Sequence, residues 1–204
     1  MKLMDLGDAV RQHAGEFVCE RIHDGAQQKI VRFTHVTTPP VGTGDVPAVG
    51  RLRDVYDSFG SILLYYDEKS GDAGKFIAPR AEWAELHACF NDWIESLDED
   101  ERGELLPDWL EGCVVIGETP NSGNYILVPT TGAESGRVFE FDHDGFEFTR
   151  KGEDLVGYIE KLLKPDGAVL TDIASHMRFV DDDPTAQWWI RELRDNRGHV
   201  VTTR

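Results

Sequence analysis

The stretch Cys113-Val-Val-Ile-Gly-Glu-Thr-Pro-Asn-Ser-Gly-Asn-Tyr-Ile-Leu-Val128 organises the reading of the whole chain. Residues 113–116 and 125–128 are apolar runs of strand length, and between them Glu118, Thr119, Pro120, Asn121, Ser122, Gly123 and Asn124 are residues of turns. Two strands joined by a turn account for both features. Downstream, Val138, Phe139, Glu140 and Phe141 lead into Asp142, His143, Asp144 and Gly145, and Phe146, Glu147 and Phe148 lead out. The Phe-Glu-Phe alternation on both arms predicts a second hairpin with one buried and one solvated face. Residues 153–164 read as a helix, with Leu155, Val156, Ile159, Leu162 and Leu163 on one side and Pro165 as its stop.

Upstream, Trp83, Leu86, Phe90, Trp93, Ile94 and Leu97 recur at helical spacing, which predicts a helix after Pro79 whose apolar stripe is buried. Asp98 closes that helix and stands before the next, with Glu101 three residues on as in a capping box, and Pro107 keeps the second helix short. Residues 51–59 suggest another short helix, and 61–66 and 75–78 strands. At the start of the chain Leu3, Leu6, Val10 and Ala14 are spaced for a helix, and β-prone runs 17–22 and 29–36 flank His23, Asp24 and Gly25 as a hairpin. Residues 37–50, rich in Thr, Pro, Gly and Val, read as a boundary loop. Near the other end Trp188, Trp189 and Leu193 suggest a last helix started by Pro184, after the acidic triple Asp181, Asp182 and Asp183. The resulting division is an N-terminal helix and hairpin extension (1–45), a core domain (46–164) and a C-terminal extension packed on the core (165–204).

A chain of 204 residues with 40% hydrophobic and 10% aromatic content can bury a sizeable core, so disorder is not expected. Its 38 acidic against 21 basic side chains give a formal net charge of −17. Such a surface repels phosphate backbones and anionic headgroups, which argues against nucleic acid and membrane as partners and in favour of a cationic protein. The charge is regional. Residues 1–36 balance five acids with five bases, whereas 92–111 hold nine acids against Arg102 alone. Cys19, Cys89 and Cys113 suit neither a disulfide framework nor a thiolate metal site, and read as reduced, mostly buried thiols. The first fourteen residues interrupt their apolar positions with Asp5, Asp8, Arg11 and His13, so a secretory leader is not expected and the cytoplasm is the default location.

Signatures of chemistry are sparse. Gly42 and Gly44 lie in a Pro-rich loop with no Lys-Ser/Thr pair after them, so no phosphate loop is indicated. No Ser has glycines two residues away on both sides, as a nucleophile elbow requires. Asp142, His143 and Asp144 are the nearest approach to a divalent-cation cluster, but Asp and Gly at a hairpin tip ordinarily serve the turn. The expectation is therefore no metal, no cofactor and no catalytic residue.

Val114, Val115, Ile116, Gly117 and Glu118, then Asn121, Ser122, Gly123, Asn124 and Tyr125 into Ile126, Leu127 and Val128, resemble the central motif of the SUKH superfamily of Smi/Knr-like proteins. The strand and acidic tip of 138–144, the helix of 154–163, Leu106-Pro107-Asp108-Trp109 and the Phe59-Gly60 step are similar to further family features, so the likeness spans about residues 46–164. The resemblance implies an α+β fold, a twisted, mostly antiparallel central sheet with helices packed around it, used as a protein-binding scaffold. It also implies relatives among bacterial immunity proteins that neutralise toxins, many of them nucleases. With the acidic segment, this gives the leading expectation: a cytoplasmic, non-catalytic module that binds a basic protein toxin through Asp98, Glu99, Asp100, Glu101 and Glu104, and through the tip residues Asp142 and Asp144. The alternatives are a hydrolase or metal-dependent enzyme built on the acidic cluster with His143, and a regulatory adaptor with no toxin.

Overall fold

The structure is a computed structural model describing residues 3–22, 24–174, 176–179 and 188–203. In chain order its elements are α1 (Leu3–Gln12), β1 (Gly15–Arg21), β2 (Asp24–Thr38), α2 (Leu52–Tyr56), β3 (Ser61–Tyr66), β4 (Lys75–Ile77), α3 (Trp83–Glu95) and α4 (Glu99–Leu105). There follow β5 (Cys113–Thr119), β6 (Asn124–Pro129), β7 (Val138–Asp142), β8 (Glu147–Gly152), α5 (Leu155–Leu163), α6 (Gly167–Ala174), β9 (Trp188–Asp195) and β10 (Val200–Thr203). This is an α+β fold with antiparallel strands. It divides into two compact units, one of Met1–Thr37, Leu63–Lys75 and Glu160–Arg204, the other of Thr38–Ile62 and Phe76–Ile159. All three stretches of the sequence-based division contribute to the first unit.

In the first unit the strand order is β10-β9-β1-β2-β3. β1 and β2 form the expected hairpin, with Phe17 opposite Val31 and Cys19 opposite Lys29. α1 buries Leu6 and Val10, as its spacing requires. The last helix expected from Trp188, Trp189 and Leu193 is instead strand β9, while Pro184 and Asp181, Asp182 and Asp183 lie outside the described residues. The cause is a bulge. Cys19 faces Ile190 but Val18 faces Glu192, so Arg191 is the extra residue. That insertion brings Ile190 and Leu193, three apart, to the same buried face, and a three-residue apolar spacing imitates a helix.

The second unit has the order β4-β5-β6-β7-β8, and the quoted stretch is its centre. β5 and β6 pair with Val115 opposite Leu127, and β6 pairs with β7 through Leu127 and Phe139. The register slips between Val115 and Gly117, where a Cβ on Gly117 would stand 2.1 Å from the Phe76 carbonyl oxygen, so β4 approaches only because that residue is glycine. α3 lies against β5, and Phe90 drives into a core of Cys113, Val115, Tyr125, Leu127 and Phe141. Phe90 and Phe141 meet edge to face at 5.2 Å. Adjacent residues of a strand point to opposite faces, so Glu140, which accepts a 2.5 Å hydrogen bond from Tyr158 of α5, places α5 on the face opposite α3. The stripe on α3 is less buried than its spacing predicts. Trp83 and Phe90 are buried, while Leu86, Trp93, Ile94 and Leu97 remain half-exposed, because one sheet face covers only the centre of a stripe that wide.

Candidate functional site

The acidic segment folds as α3, a bend and α4. Asp98 is the N-cap of α4: its carboxylate accepts from the Glu101 backbone N–H at 2.9 Å, and the Glu101 carboxylate accepts from the Asp98 N–H at 3.0 Å. The capping box read from the sequence is present, and it gives two of the proposed partner-binding carboxylates a structural role. Glu99, Asp100 and Glu104 are exposed, as are Asp92, Glu95, Asp108 and Glu111. Among the described residues none of these seven has a cationic partner. Arg102, the one base of the segment, is engaged by backbone: its guanidinium donates to the carbonyl oxygens of Leu97 at 3.1 Å and Glu95 at 3.2 Å. It ties α4 to the end of α3 and leaves the carboxylates uncompensated. Elsewhere in the unit burial, and next the charge of Glu82, raise Glu118 above the usual carboxylate range.

The other proposed residues, Asp142 and Asp144, are exposed at the tip between β7 and β8. Asp142 accepts from the Asp144 backbone N–H at 3.1 Å, an Asx turn. The Asn124 side-chain oxygen accepts from the His143 backbone N–H at 3.1 Å and lies 2.8 Å from His143 Nδ1, so Nδ1 carries a proton and Nε2 faces Asp144 at 3.1 Å. The ligand atoms of Asp142, His143 and Asp144 lie within 4.8 Å of one another, close enough for a cation but each already engaged in the turn. His143 packs on Trp93 of α3 at 4.7 Å, and Gly123 (φ 80°) passes beneath them where a Cβ would stand 3.1 Å from the Trp93 ring. The tip is thus anchored to α3 and α4 is anchored to α3, but no direct contact joins the two sets of carboxylates among the described residues.

Two features escaped the sequence reading. One is a pair of cavities, of about 440 Å³ and about 510 Å³, that share Asp108 and Glu111. They form where Pro107 ends α4 and the chain runs on to a short turn at Leu110–Gly112, a packing outcome that no motif announces. The other is a histidine pair in the first unit. The Tyr65 backbone N–H donates to His35 Nδ1 at 2.9 Å, and His35 Nε2 lies 2.7 Å from His13 Nδ1, inside a ring cluster with Phe17, Phe33 and Phe179. Burial, with His13 second, holds His35 down to about 3, and burial also lowers His13. Of the thiols, Cys19 and Cys113 are buried and Cys89 is exposed. Among the described residues no helix is long and apolar enough to cross a membrane. Comparison with protein-family models, with curated proteins and with solved structures finds no match for this chain.

Proposed function

We propose that the protein is a non-catalytic binding module that masks a basic protein, in the manner of an immunity protein acting on a toxin in the cytoplasm. The observation that carries this reading is the run of exposed carboxylates along α3 and α4 that make no ion pair among the described residues, while Arg102, the one Arg or Lys of the segment, donates to backbone carbonyls. Exposed like charges concentrated in one segment oppose one another, and a cationic surface relieves that repulsion while steering encounter. The likeness to the SUKH superfamily in residues 114–128 belongs to the same proposal and rests on sequence.

The test is titration of a basic candidate, such as the product of the neighbouring gene, at low and high salt. The expected result is an association rate that falls by about tenfold or more as salt rises, since screening shortens the range of the field. Salt-independent binding, or none, refutes the electrostatic reading. The convergence of Asp142, His143 and Asp144 favours one second reading, a metal-dependent enzyme. Specific thermal stabilisation by Zn²⁺ or Mn²⁺ that is lost in His143→Ala selects it.

A further inference from the structure

Building on the proposed binding of a basic partner, we infer that the groove between α3 and the segment after α4 is where that partner anchors, and that its occupant is a basic chain segment carrying apolar side chains. The groove has a volume of about 440 Å³, within the usual range of specific sites, and its lining includes the apolar Phe90, Ile94, Leu106 and Leu110 beside the polar His87 and Asn91. Phe90 closes the floor, fully buried, while Ile94, Leu106 and Leu110 are half-exposed, so apolar surface here is left uncovered by the fold. Leu105, one residue before, adds an exposed apolar side chain.

The rim supplies the other half of the recognition. Asp108 and Glu111 border the groove, are exposed, and have no cationic partner among the described residues. The neighbouring cavity, of about 510 Å³, continues from the same two carboxylates past Trp109 to Glu134, where Arg137 neutralises Glu134 at 2.6 Å. Negative charge over an apolar trough matches a segment in which Arg or Lys alternates with Leu or a similar side chain: the apolar groups fill the trough and the cations lie along the rim. A second copy of this chain fits poorly, because each copy carries a net charge of −17.

The experiment uses two labelled peptides of equal positive charge, one alternating arginine with leucine and one alternating arginine with glycine, with binding mapped by backbone amide shifts. The expected result is at least about tenfold tighter binding of the arginine-leucine peptide, with shifts at His87, Asn91, Ile94, Leu106 and Leu110. In Asn91→Trp, which fills the groove without changing charge, that preference should vanish while binding of the arginine-glycine peptide persists. The wild-type comparison stands alone if the variant does not fold. Equal, salt-sensitive binding of both peptides with shifts confined to 99–104 overturns the groove and leaves the acidic-face reading intact, whereas binding of neither overturns that reading as well. Concentration-dependent shifts of the groove amides without peptide identify a second copy as the occupant and also overturn the proposal.

Discussion

The two units handle charge in opposite ways. The first half-buries two imidazoles, His13 and His35, beside Phe17, Phe33, Tyr65 and Phe179, where burial favours their neutral form. The second exposes the acids of α3 and α4, and its core of Phe90, Cys113, Tyr125, Leu127 and Phe141 holds no charged group. Buried neutral groups respond to pH and hardly to salt, while exposed charges respond to salt and contribute little to stability. Stability and the proposed recognition should therefore be separable by choice of solvent.

The largest expected effect is in the first unit. Because Tyr65 N–H occupies His35 Nδ1, the ring is held as the tautomer protonated at Nε2, which donates to His13 Nδ1, and an added proton sets donor against donor. The unfolded chain takes that proton near 6.5, the folded chain only near 3. Stability from His35 is complete above about 6.5 and falls by about 1.4 kcal/mol per pH unit below it, a loss of about 5 kcal/mol by pH 3. Urea unfolding across this range measures it. His35→Gln should lower stability at neutral pH yet flatten the acid limb; an unchanged limb breaks the comparison. Tyr65 adds to the sensitivity, since its left-handed backbone (φ 57°) is held by the His35 contact and by the bond from its hydroxyl to the Leu162 carbonyl at 2.5 Å.

In the second unit Phe90→Ala should cost about 3 to 5 kcal/mol, from lost burial and the cavity left above Phe141 and Tyr125, at any salt concentration. Thiol labelling localises the damage. With the exposed Cys89 replaced by Ser, Cys113 reports on the second unit and Cys19 on the first. Burial pushes the Cys113 thiol up to about 12, so its labelling requires opening. Phe90→Ala should accelerate labelling of Cys113 more than of Cys19, and equal acceleration contradicts the localisation.

Much of this arrangement was legible in the residues. The strands of 113–128, the hairpin of 138–148 and the cap at Asp98 follow from local rules, and local contacts realise them. What escaped depends on partners distant in sequence. The bulge at Arg191 exists only relative to β1, so Trp188, Trp189 and Leu193 read alone suggested a helix. The histidine pair needs α1, β2 and β3 to converge, and His13 and His35 carry no spacing that foretells it. For the candidate site, the sequence located the acids and the cap, but not the binding of Arg102 to backbone carbonyls nor the groove beside Asp108 and Glu111.

A smaller effect separates the carboxylates of α4 from one another. Asp98→Ala removes one half of the capping box and should destabilise the protein by about 1 kcal/mol, with Glu101→Ala costing less because its bond closes only the box. A melting temperature unchanged in Asp98→Ala contradicts the capping role and returns Asp98 to the set of free acids.

Under the proposed function, the smallest effect on stability goes with the largest effect on binding. Glu99→Gln, Asp100→Asn and Glu104→Gln together remove three exposed charges that make no ion pair among the described residues. Stability should change by less than about 0.5 kcal/mol, because relief of like-charge repulsion offsets the loss of Glu99 and Asp100 from the first turn of α4. Affinity for a basic partner should nevertheless fall and lose part of its salt dependence, since these groups supply the field. If the triple variant is markedly destabilised, the face is structural and the division of labour between the units fails. If it is as stable as expected and binds a basic partner unchanged at every salt concentration, the comparison survives but the binding surface lies elsewhere in the molecule.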